Sequence, residues 1–308
     1  MNGHFSALRY SDPQAHATSL RDFDQNYVQV EDGPFGSALT QAEFGGLRIY
    51  VESVDRGIVQ HTHLNKNCIA MGWGRRGASA RGARQVVETS AAMLRGGQDW
   101  MFRLKPGIEL FGITMPTDEI DRLAESIGVS IALTRHAPIK PSARALANMQ
   151  WCVSEVERQA PRMANAQVRA SLREHLLENF FEALCESQPQ GRADVTWLSH
   201  QQIVRRSQEL ALASPDRPPS VLELCAQLRV SRRTLHNSFL LVLGQSPSAY
   251  LRCMRMGRVR LLLRTVPASE LSVGDAAARW GFFHVGNFAK DYRNLFDELP
   301  SQTPRARP

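Results

Sequence analysis

The stretch Ser220–Phe239, SVLELCAQLRVSRRTLHNSF, predicts two short helices joined by a tight turn. Ser220 and Glu223 have the spacing of a capping box, in which each side chain satisfies a free backbone N–H at a helix start. Apolar residues then recur at helical spacing, at Val221, Leu224, Cys225 and Leu228. The turn falls at residues 229–230, and Ser231 is predicted to cap the second helix.

A second stretch, Leu271–Tyr292, LSVGDAAARWGFFHVGNFAKDY, repeats this layout. Ser272 is the predicted cap, and Gly281 supplies the turn because glycine adopts a positive φ at little cost. A helix, a turn and a second helix that can enter the DNA major groove make up the helix-turn-helix motif. The sequence therefore predicts two such units.

The duplication resembles the DNA-binding domain of the AraC/XylS family of transcriptional regulators. Four segments carry the resemblance: LRVSRRTLHNSF (228–239), LGQSPSAYLR (243–252), AAARWGF (276–282) and DYRNLFDELPS (291–301). Within the family, WGFFHVGNFAKDY (280–292) is most similar to the subgroup that contains the ethanolamine-operon activator.

The resemblance implies an α+β protein in three parts. These are a cupin-like β-barrel sensor domain (1–135), a helical pair with a linker (136–194), and a DNA-binding domain with two helix-turn-helix units (195–308). It also implies a regulator that binds promoter DNA, acts mostly as an activator through RNA polymerase, responds to a small-molecule effector and forms a homodimer. The implied protein is not an enzyme and has no cofactor.

Charge is unevenly distributed along the 308 residues. The net charge is +7, and residues 200–308 hold 16 lysines and arginines against 8 aspartates and glutamates, a net charge of +8. A basic excess confined to the region of the two units fits a phosphate-binding surface. The five scattered cysteines and the absence of an apolar run of about 18 residues predict a cytoplasmic protein with no membrane partner.

Short apolar runs punctuated by glycine and proline predict an antiparallel barrel or sandwich in the N-terminal part. The predicted strands are 37–44, 47–54, 68–73, 84–89, 99–104 and 109–115. Predicted helices follow at 117–127, capped by Thr117 and ended by Gly128, and at 142–157 and 166–186; a short helix is also predicted from Ser19. The apolar stripes of the last two main helices fit either the core or a dimer interface.

Side chains on the outward faces of the two second helices are the predicted DNA contacts. In the first unit these are Arg232, Arg233, His236 and Asn237, where arginine can bind guanine and asparagine can bind adenine. The positions in the second unit are Val285, Gly286, Asn287, Lys290 and Arg293. We expect the first unit to carry most of the specificity, because valine and glycine offer no side-chain hydrogen bonds, and we expect Asn287, Lys290 and Arg293 to hold the backbone.

His61 and His63 would share one face of a strand, as metal-binding histidines do in cupins. No third ligand follows nearby, so no metal site is predicted. The segment Arg75–Arg84 holds four arginines and is interpreted as a basic loop, with contact to an anionic effector or DNA as the alternative.

Two alternative functions remain open at this stage. The barrel can serve only for dimerisation, without a ligand, or it can be an enzyme joined to a DNA-binding domain, although no catalytic residues stand out. Four aromatic residues bear on the choice, since they can line a pocket or fill the core: Trp73, Trp100, Phe102 and Phe111. No effector-binding residue is predicted.

Overall fold

The computed structural model describes residues 5–76, 92–128, 139–140, 142–159, 165–186, 188–189 and 195–306. The strands are β1 (Phe5–Tyr10), β2 (Phe23–Gln29), β3 (Ser37–Phe44), β4 (Leu47–Val54), β5 (Ile58–Leu64), β6 (Cys68–Arg76), β7 (Ala92–Arg95), β8 (Asp99–Leu104), β9 (Ile108–Pro116), β10 (Ile139–Lys140) and β11 (Gln188–Pro189). The helices are α1 (Pro13–Ala17), α2 (Thr117–Ile127), α3 (Ala143–Gln159), α4 (Ala166–Glu186), α5 (Val195–Ala213), α6 (Val221–Leu228), α7 (Arg232–Leu243), α8 (Pro247–Thr265), α9 (Val273–Ala278) and α10 (Val285–Phe296).

The strands form two antiparallel sheets. The larger sheet has the order β1-β3-β4-β9-β6-β7-β10-β11, and the smaller sheet has the order β2-β5-β8. Among the described residues no strand pairing joins the two sheets into a closed barrel, which corrects the closed barrel that the resemblance implied. The chain passes between the two sheets several times. One crossing follows β5, at a turn in which the side chain of Asn65 accepts a hydrogen bond from the Asn67 N–H.

Each face of the larger sheet has its own packing partner. One face carries alternate apolar residues such as Ile49, Met71 and Ile113, and it packs against α2, α3 and α4. Trp73 and Phe111 stack in this cluster with ring centroids 5.7 Å apart, so they fill core space. The other face is directed toward the smaller sheet, whose far side packs on the C-terminal helices through Val28 and Val59.

Most of the predicted elements that fall on described residues are present, and three details of the prediction are wrong. The predicted strand at 84–89 lies outside the described residues. The helix near Ser19 lies earlier, at α1, where the Asp12 side chain accepts a hydrogen bond from the Ala15 N–H at 2.8 Å. The helix α2 ends at Gly128 in a left-handed conformation as predicted, but Pro116 and not Thr117 occupies its cap position. Strands β1, β2, β7, β10 and β11 were not predicted.

The helices of the C-terminal region enclose two hydrophobic clusters. One lies between α5, α6, α7 and the start of α8, and the other lies between the end of α8, α9 and α10. Helix α8 contributes buried residues to both clusters and therefore connects them. None of the helices in the described ranges is long and apolar enough to span a membrane.

Candidate nucleic-acid interface

The first helix-turn-helix unit is formed by α6 and α7, and its local geometry follows the capping chemistry of the sequence. The Ser220 Oγ accepts from the Glu223 N–H at 3.2 Å, and the Glu223 carboxylate accepts from the Ser220 N–H at 2.7 Å. Arg229 ends α6 in a left-handed conformation, with φ of 54°. The Ser231 Oγ then accepts from the Thr234 N–H at 3.0 Å and starts α7.

Buried side chains on α7 fix the face that it turns to solvent. Leu235 and Phe239 are fully buried, and the Phe239 ring lies 6.1 Å from the Tyr250 ring of α8. The Ser238 hydroxyl, also buried, lies 2.8 Å from Nδ1 of His200 on α5. These inward contacts leave the opposite side of α7 free.

The four predicted contact residues of the first unit all lie on that free side. Arg232, Arg233, His236 and Asn237 are exposed. Within the described part of the chain, none of their side chains makes a hydrogen bond or an ion pair, so each is available to an external partner. Two guanidinium groups, an imidazole and an amide can donate to phosphates and to base edges.

The second unit is formed by α9 and α10. The Ser272 Oγ accepts from the Asp275 N–H at 3.1 Å and starts α9. Gly281 forms the turn with φ of 75°, and a Cβ at that position would lie 2.6 Å from Cδ of Pro218, so both the conformation and the close approach require glycine. Phe288 and Tyr292 are buried and hold α10 against the end of α8.

The exposed end of α10 differs chemically from that of α7. Its predicted contact residues, Val285, Gly286, Asn287, Lys290 and Arg293, are all exposed. His284 occupies the cap position without making a side-chain capping bond. Beside it, Phe283 is 69% exposed and Val285 is 51% exposed. Phe283 was not among the predicted contacts; the signal in the sequence is an aromatic residue placed one position before a helix cap.

The arginines of α8 stabilise the second unit. The Arg255 guanidinium donates to the Trp280 carbonyl at 3.2 Å and lies 4.9 Å from the centroid of the Phe282 ring. Arg252 forms an ion pair with Asp291 of α10. Because these charges are used inside the domain, the basic excess in the sequence overstates the charge that remains free for DNA.

The two histidines of β5 are used in separate contacts. His61 Nε2 lies 2.8 Å from the Tyr250 hydroxyl, and burial lowers the pKa of His61 to about 4. His63 Nδ1 lies 2.8 Å from an Asp99 oxygen. In the ranges that the structure covers, no group of three or more metal-ligating side chains comes together. The side chains of the Arg75–Arg84 segment lie outside the described residues.

Comparison with known proteins identifies the C-terminal region. The model of a family described as a helix-turn-helix domain matches residues 224–306. The "Probable thc operon regulatory protein" of Rhodococcus erythropolis is 39% identical over 107 residues, which is 34% of this chain and 32% of that protein. The XylDLEGF operon transcriptional activator of Pseudomonas putida is 39% identical over 85 residues, 27% of this chain and 26% of that protein.

A solved structure described as a probable AraC family transcriptional regulator, from Rhodopseudomonas palustris CGA009, is 34% identical. It covers 33% of this chain and 94% of its own, with a TM-score of 0.31. The chain thus matches about a third or less of the length of the two curated relatives. The C-terminal region therefore matches a helix-turn-helix domain and is similar to part of known transcriptional regulators.

Proposed function

We propose that the protein is a regulator of transcription that binds double-stranded promoter DNA in a sequence-specific manner through its two helix-turn-helix units. The observation that carries this proposal is the free face of α7, which lies within the matched helix-turn-helix region. Its four donor side chains are exposed and have no partner among the described residues. In this proposal, α7 and α10 each enter a major groove, and the half-sites lie about one helical turn, ~34 Å, apart.

The proposed contacts divide into two groups. Arg233, His236 and Asn237 bind base edges, and Arg232 binds phosphates of the DNA backbone. In the second unit, Asn287, Lys290 and Arg293 bind phosphates, while Val285 and the neighbouring Phe283 contact thymine methyl groups or the groove wall.

The experiment that tests this proposal is repeated selection from a pool of random double-stranded DNA with the full-length protein. Enrichment of one sequence motif in two parts is the expected result. A pool that stays random through successive rounds, while still binding in a salt-sensitive manner, would contradict the proposal.

We further propose that the space between the two sheets binds a small polar effector. The support is a set of buried polar atoms that have no hydrogen-bond partner in the part of the chain that the structure describes. They belong to residues on the facing sides of the two sheets: Glu52 Oε1, Gln60 Oε1, Thr62 Oγ1 and Trp100 Nε1. Buried polar atoms are rarely left unpaired in proteins, so an occupant with hydrogen-bonding groups would satisfy these atoms.

Glu52 is the group in that space most able to select a ligand. The Tyr27 hydroxyl donates to it at 2.7 Å, and burial raises its pKa to about 7. A ligand that donates hydrogen bonds, such as an amine or a hydroxyl compound, complements the unpaired oxygens of Glu52 and Gln60. The subgroup resemblance to the ethanolamine-operon activator points to the same chemistry. Screening such compounds for a rise in the unfolding temperature of wild-type protein, absent in Glu52→Gln, tests the site.

The remaining features of the proposal follow from the family. We propose that the sensor domain (1–135) is cupin-like, that the helical part (136–194) joins it to the DNA-binding domain (195–308), and that the protein works in the cytoplasm as a homodimer. Trp151 on α3 is 53% exposed, which favours an interface on the outer side of α3 and α4. The regulator activates by contact with RNA polymerase and carries out no catalysis.

The core position of Trp73 and Phe111 supports the alternative in which the N-terminal domain only dimerises. Both rings stack in the hydrophobic core on the helix side of the larger sheet, so neither lines the space between the sheets. Under this alternative no compound changes the unfolding temperature or the DNA affinity.

A further inference from the structure

Side chains of the smaller sheet bind the carbonyl groups at the C-terminal ends of α7 and α10. These are the two helices proposed to enter the major groove. Arg103 on β8 donates Nη1 to the carbonyl of Leu243, the last residue of α7, at 2.7 Å. Gln29 on β2 donates Nε2 to the carbonyl of Leu295, in the last turn of α10, at 2.6 Å. The two donors thus come from the two edge strands of one three-stranded sheet.

The central strand of that sheet contacts the helix between these two. His61 on β5 lies 2.8 Å from the Tyr250 hydroxyl on α8, and Gln208 of α5 donates to the same hydroxyl at 2.8 Å. Each strand of the smaller sheet therefore holds one of the three helices α7, α8 and α10.

These contacts act on groups that a helix leaves unsatisfied. The last carbonyls of a helix have no partner within it, and the C-terminal end carries a partial negative charge that favours a guanidinium. At α10 the Gly33 N–H adds bonds to the carbonyls of Asn294 and Leu295, at 3.1 and 3.2 Å. Because the sheet binds the carbonyl ends, the exposed N-terminal ends of both helices stay free for DNA.

The packing at the end of α7 leaves little tolerance. Gly244 follows Leu243 with φ of 64°, and a Cβ there would lie 1.8 Å from Nη1 of Arg103. Glycine at this position therefore serves both the left-handed helix end and the approach of the arginine.

We propose that Arg103 and Gln29 are positioning residues that fix the distance and the tilt between α7 and α10, so that the N-terminal domain determines which half-site spacing the protein accepts. This inference rests on the proposed function. Helix α8 alone joins the two units covalently, and a small tilt at either end of it would change the distance between the two helices. The smaller sheet bonds the C-terminal ends of both α7 and α10 and so fixes their relative position.

The test uses the full-length protein and the two-part sequence that the wild type selects. Duplexes with one or two base pairs added or removed between the half-sites are compared by titration. Each added base pair moves one half-site by about 3.4 Å and rotates it around the helix axis. We expect the wild type to lose about tenfold in affinity per inserted or deleted base pair, the cost of a mismatched contact.

Arg103→Ala is the main variant, because among the described residues its guanidinium bonds only the Leu243 carbonyl. We expect the variant to lose about threefold or less in affinity per inserted or deleted base pair. Its preference for the sequence of each half-site should stay unchanged. Arg103→Lys keeps a positive donor and should restore most of the wild-type penalty. Gln29→Ala is the second variant, although it also removes bonds to the carbonyls of Glu31 and Gly33.

Two controls separate positioning from general loss of stability. Arg122→Ala removes an exposed arginine of α2 that pairs with Asp118, and Gln41→Ala removes a glutamine that bonds the Ser19 carbonyl within the N-terminal domain. Neither residue contacts α7 or α10, so both should keep the wild-type spacing profile.

The inference would be overturned if the affinity of Arg103→Ala fell with altered half-site spacing as steeply as that of the wild type, in a protein with wild-type helix content. That result would leave the proposed function intact. Failure of the wild type to select any sequence would instead be failure of the proposed function. A flattened profile in Arg103→Ala together with a steep one in Arg122→Ala supports the inference.

Discussion

At the residue scale, the structure distinguishes side chains of similar type by their partners. Arg233 is exposed on α7 without a partner among the described residues, whereas Arg260 on α8 is buried between Asp12 and Glu298 at 3.2 and 3.0 Å. Both are arginines in the basic region of the sequence. Only the first can contact DNA without loss of internal ion pairs.

Arg233→Ala should lower affinity for the selected sequence by about 1–3 kcal/mol and lower affinity for random DNA much less, since a guanidinium that binds guanine discriminates bases. Lys290→Ala should weaken both alike and reduce the slope of log affinity against log salt by about 1. Titrations at several salt concentrations measure both effects. Equal losses on both DNAs for Arg233→Ala would make it a phosphate contact.

Glu52 gives the N-terminal domain a pH dependence of known sign. Burial raises its pKa from an ordinary 4.5 to about 7, against the effect of the hydrogen bonds from Tyr27 and Gln60. The folded protein therefore binds this proton more tightly than the unfolded chain does. The stability that the protonated group contributes is fully present below about pH 4.5 and is lost as pH rises through about 7.

Glu52→Gln removes this titration. Between about pH 5 and about pH 8.5, the free energy of unfolding of the variant should rise relative to that of the wild type by on the order of 1–3 kcal/mol. Denaturant unfolding at several pH values measures it, with Glu125→Gln, an exposed carboxylate of α2, as the control. His16 lies 3.3 Å from Glu52 and burial lowers its pKa to about 4, so the comparison is made above the pH range in which His16 titrates. If the free energies of unfolding of the variant and the wild type change in parallel with pH, the pKa of Glu52 is not raised in the folded protein.

At the element scale, the two helices α7 and α10 begin differently. Ser231 caps α7 with a bond to the Thr234 N–H, whereas His284 leaves the first N–H groups of α10 without a side-chain acceptor. Uncapped N–H groups can bind phosphate, so the open start of α10 is consistent with the proposed grip on the DNA backbone.

His284→Ser should add the missing cap and raise the free energy of unfolding by about 0.5–1 kcal/mol. Ser231→Ala, which removes an existing cap, should lower it by about 1 kcal/mol. Urea unfolding of both variants measures the contrast. A His284→Ser variant that is no more stable than the wild type would mean that the α10 end is already satisfied.

Elements with regular patterns could be predicted from the sequence, and elements with polar interiors could not. Residues 37–44, 47–54, 99–104 and 166–186 have the predicted bounds because their apolar residues recur at strand or helix spacing. Strand β2 was missed because its buried side includes Gln25 and Gln29, which read as surface residues. Strand β1 was missed because most of its side chains are exposed and it pairs with β3 through the backbone.

The same distinction applies to the candidate site. The capping residues and inward anchors of both units follow from local spacing, so the outward faces of α7 and α10 could be derived from the sequence. The exposure of Phe283 could not be derived, because an aromatic residue next to Phe282 reads equally well as core. The internal use of Arg252 and Arg255 depends on contacts between elements that are distant in the chain.

At the scale of the whole molecule, the contacts between the N-terminal and C-terminal regions join residues that the sequence separates widely. Arg260 and Asp12 are 248 residues apart, and Gln29 and Leu295 are 266 apart. No spacing rule reaches that distance, so the docking of the smaller sheet on α7, α8 and α10 could not be predicted. The same holds for the arrangement of two open sheets in place of a closed barrel.

The measurement that tests the central claim most directly is a pull-down of fragmented genomic DNA with the purified full-length protein at moderate salt, followed by sequencing. We expect enrichment of a few promoter fragments that share two half-sites about one helical turn apart, and loss of that enrichment in Arg233→Ala. Binding spread evenly over all fragments, sensitive to salt and unchanged by Arg233→Ala, would contradict the account.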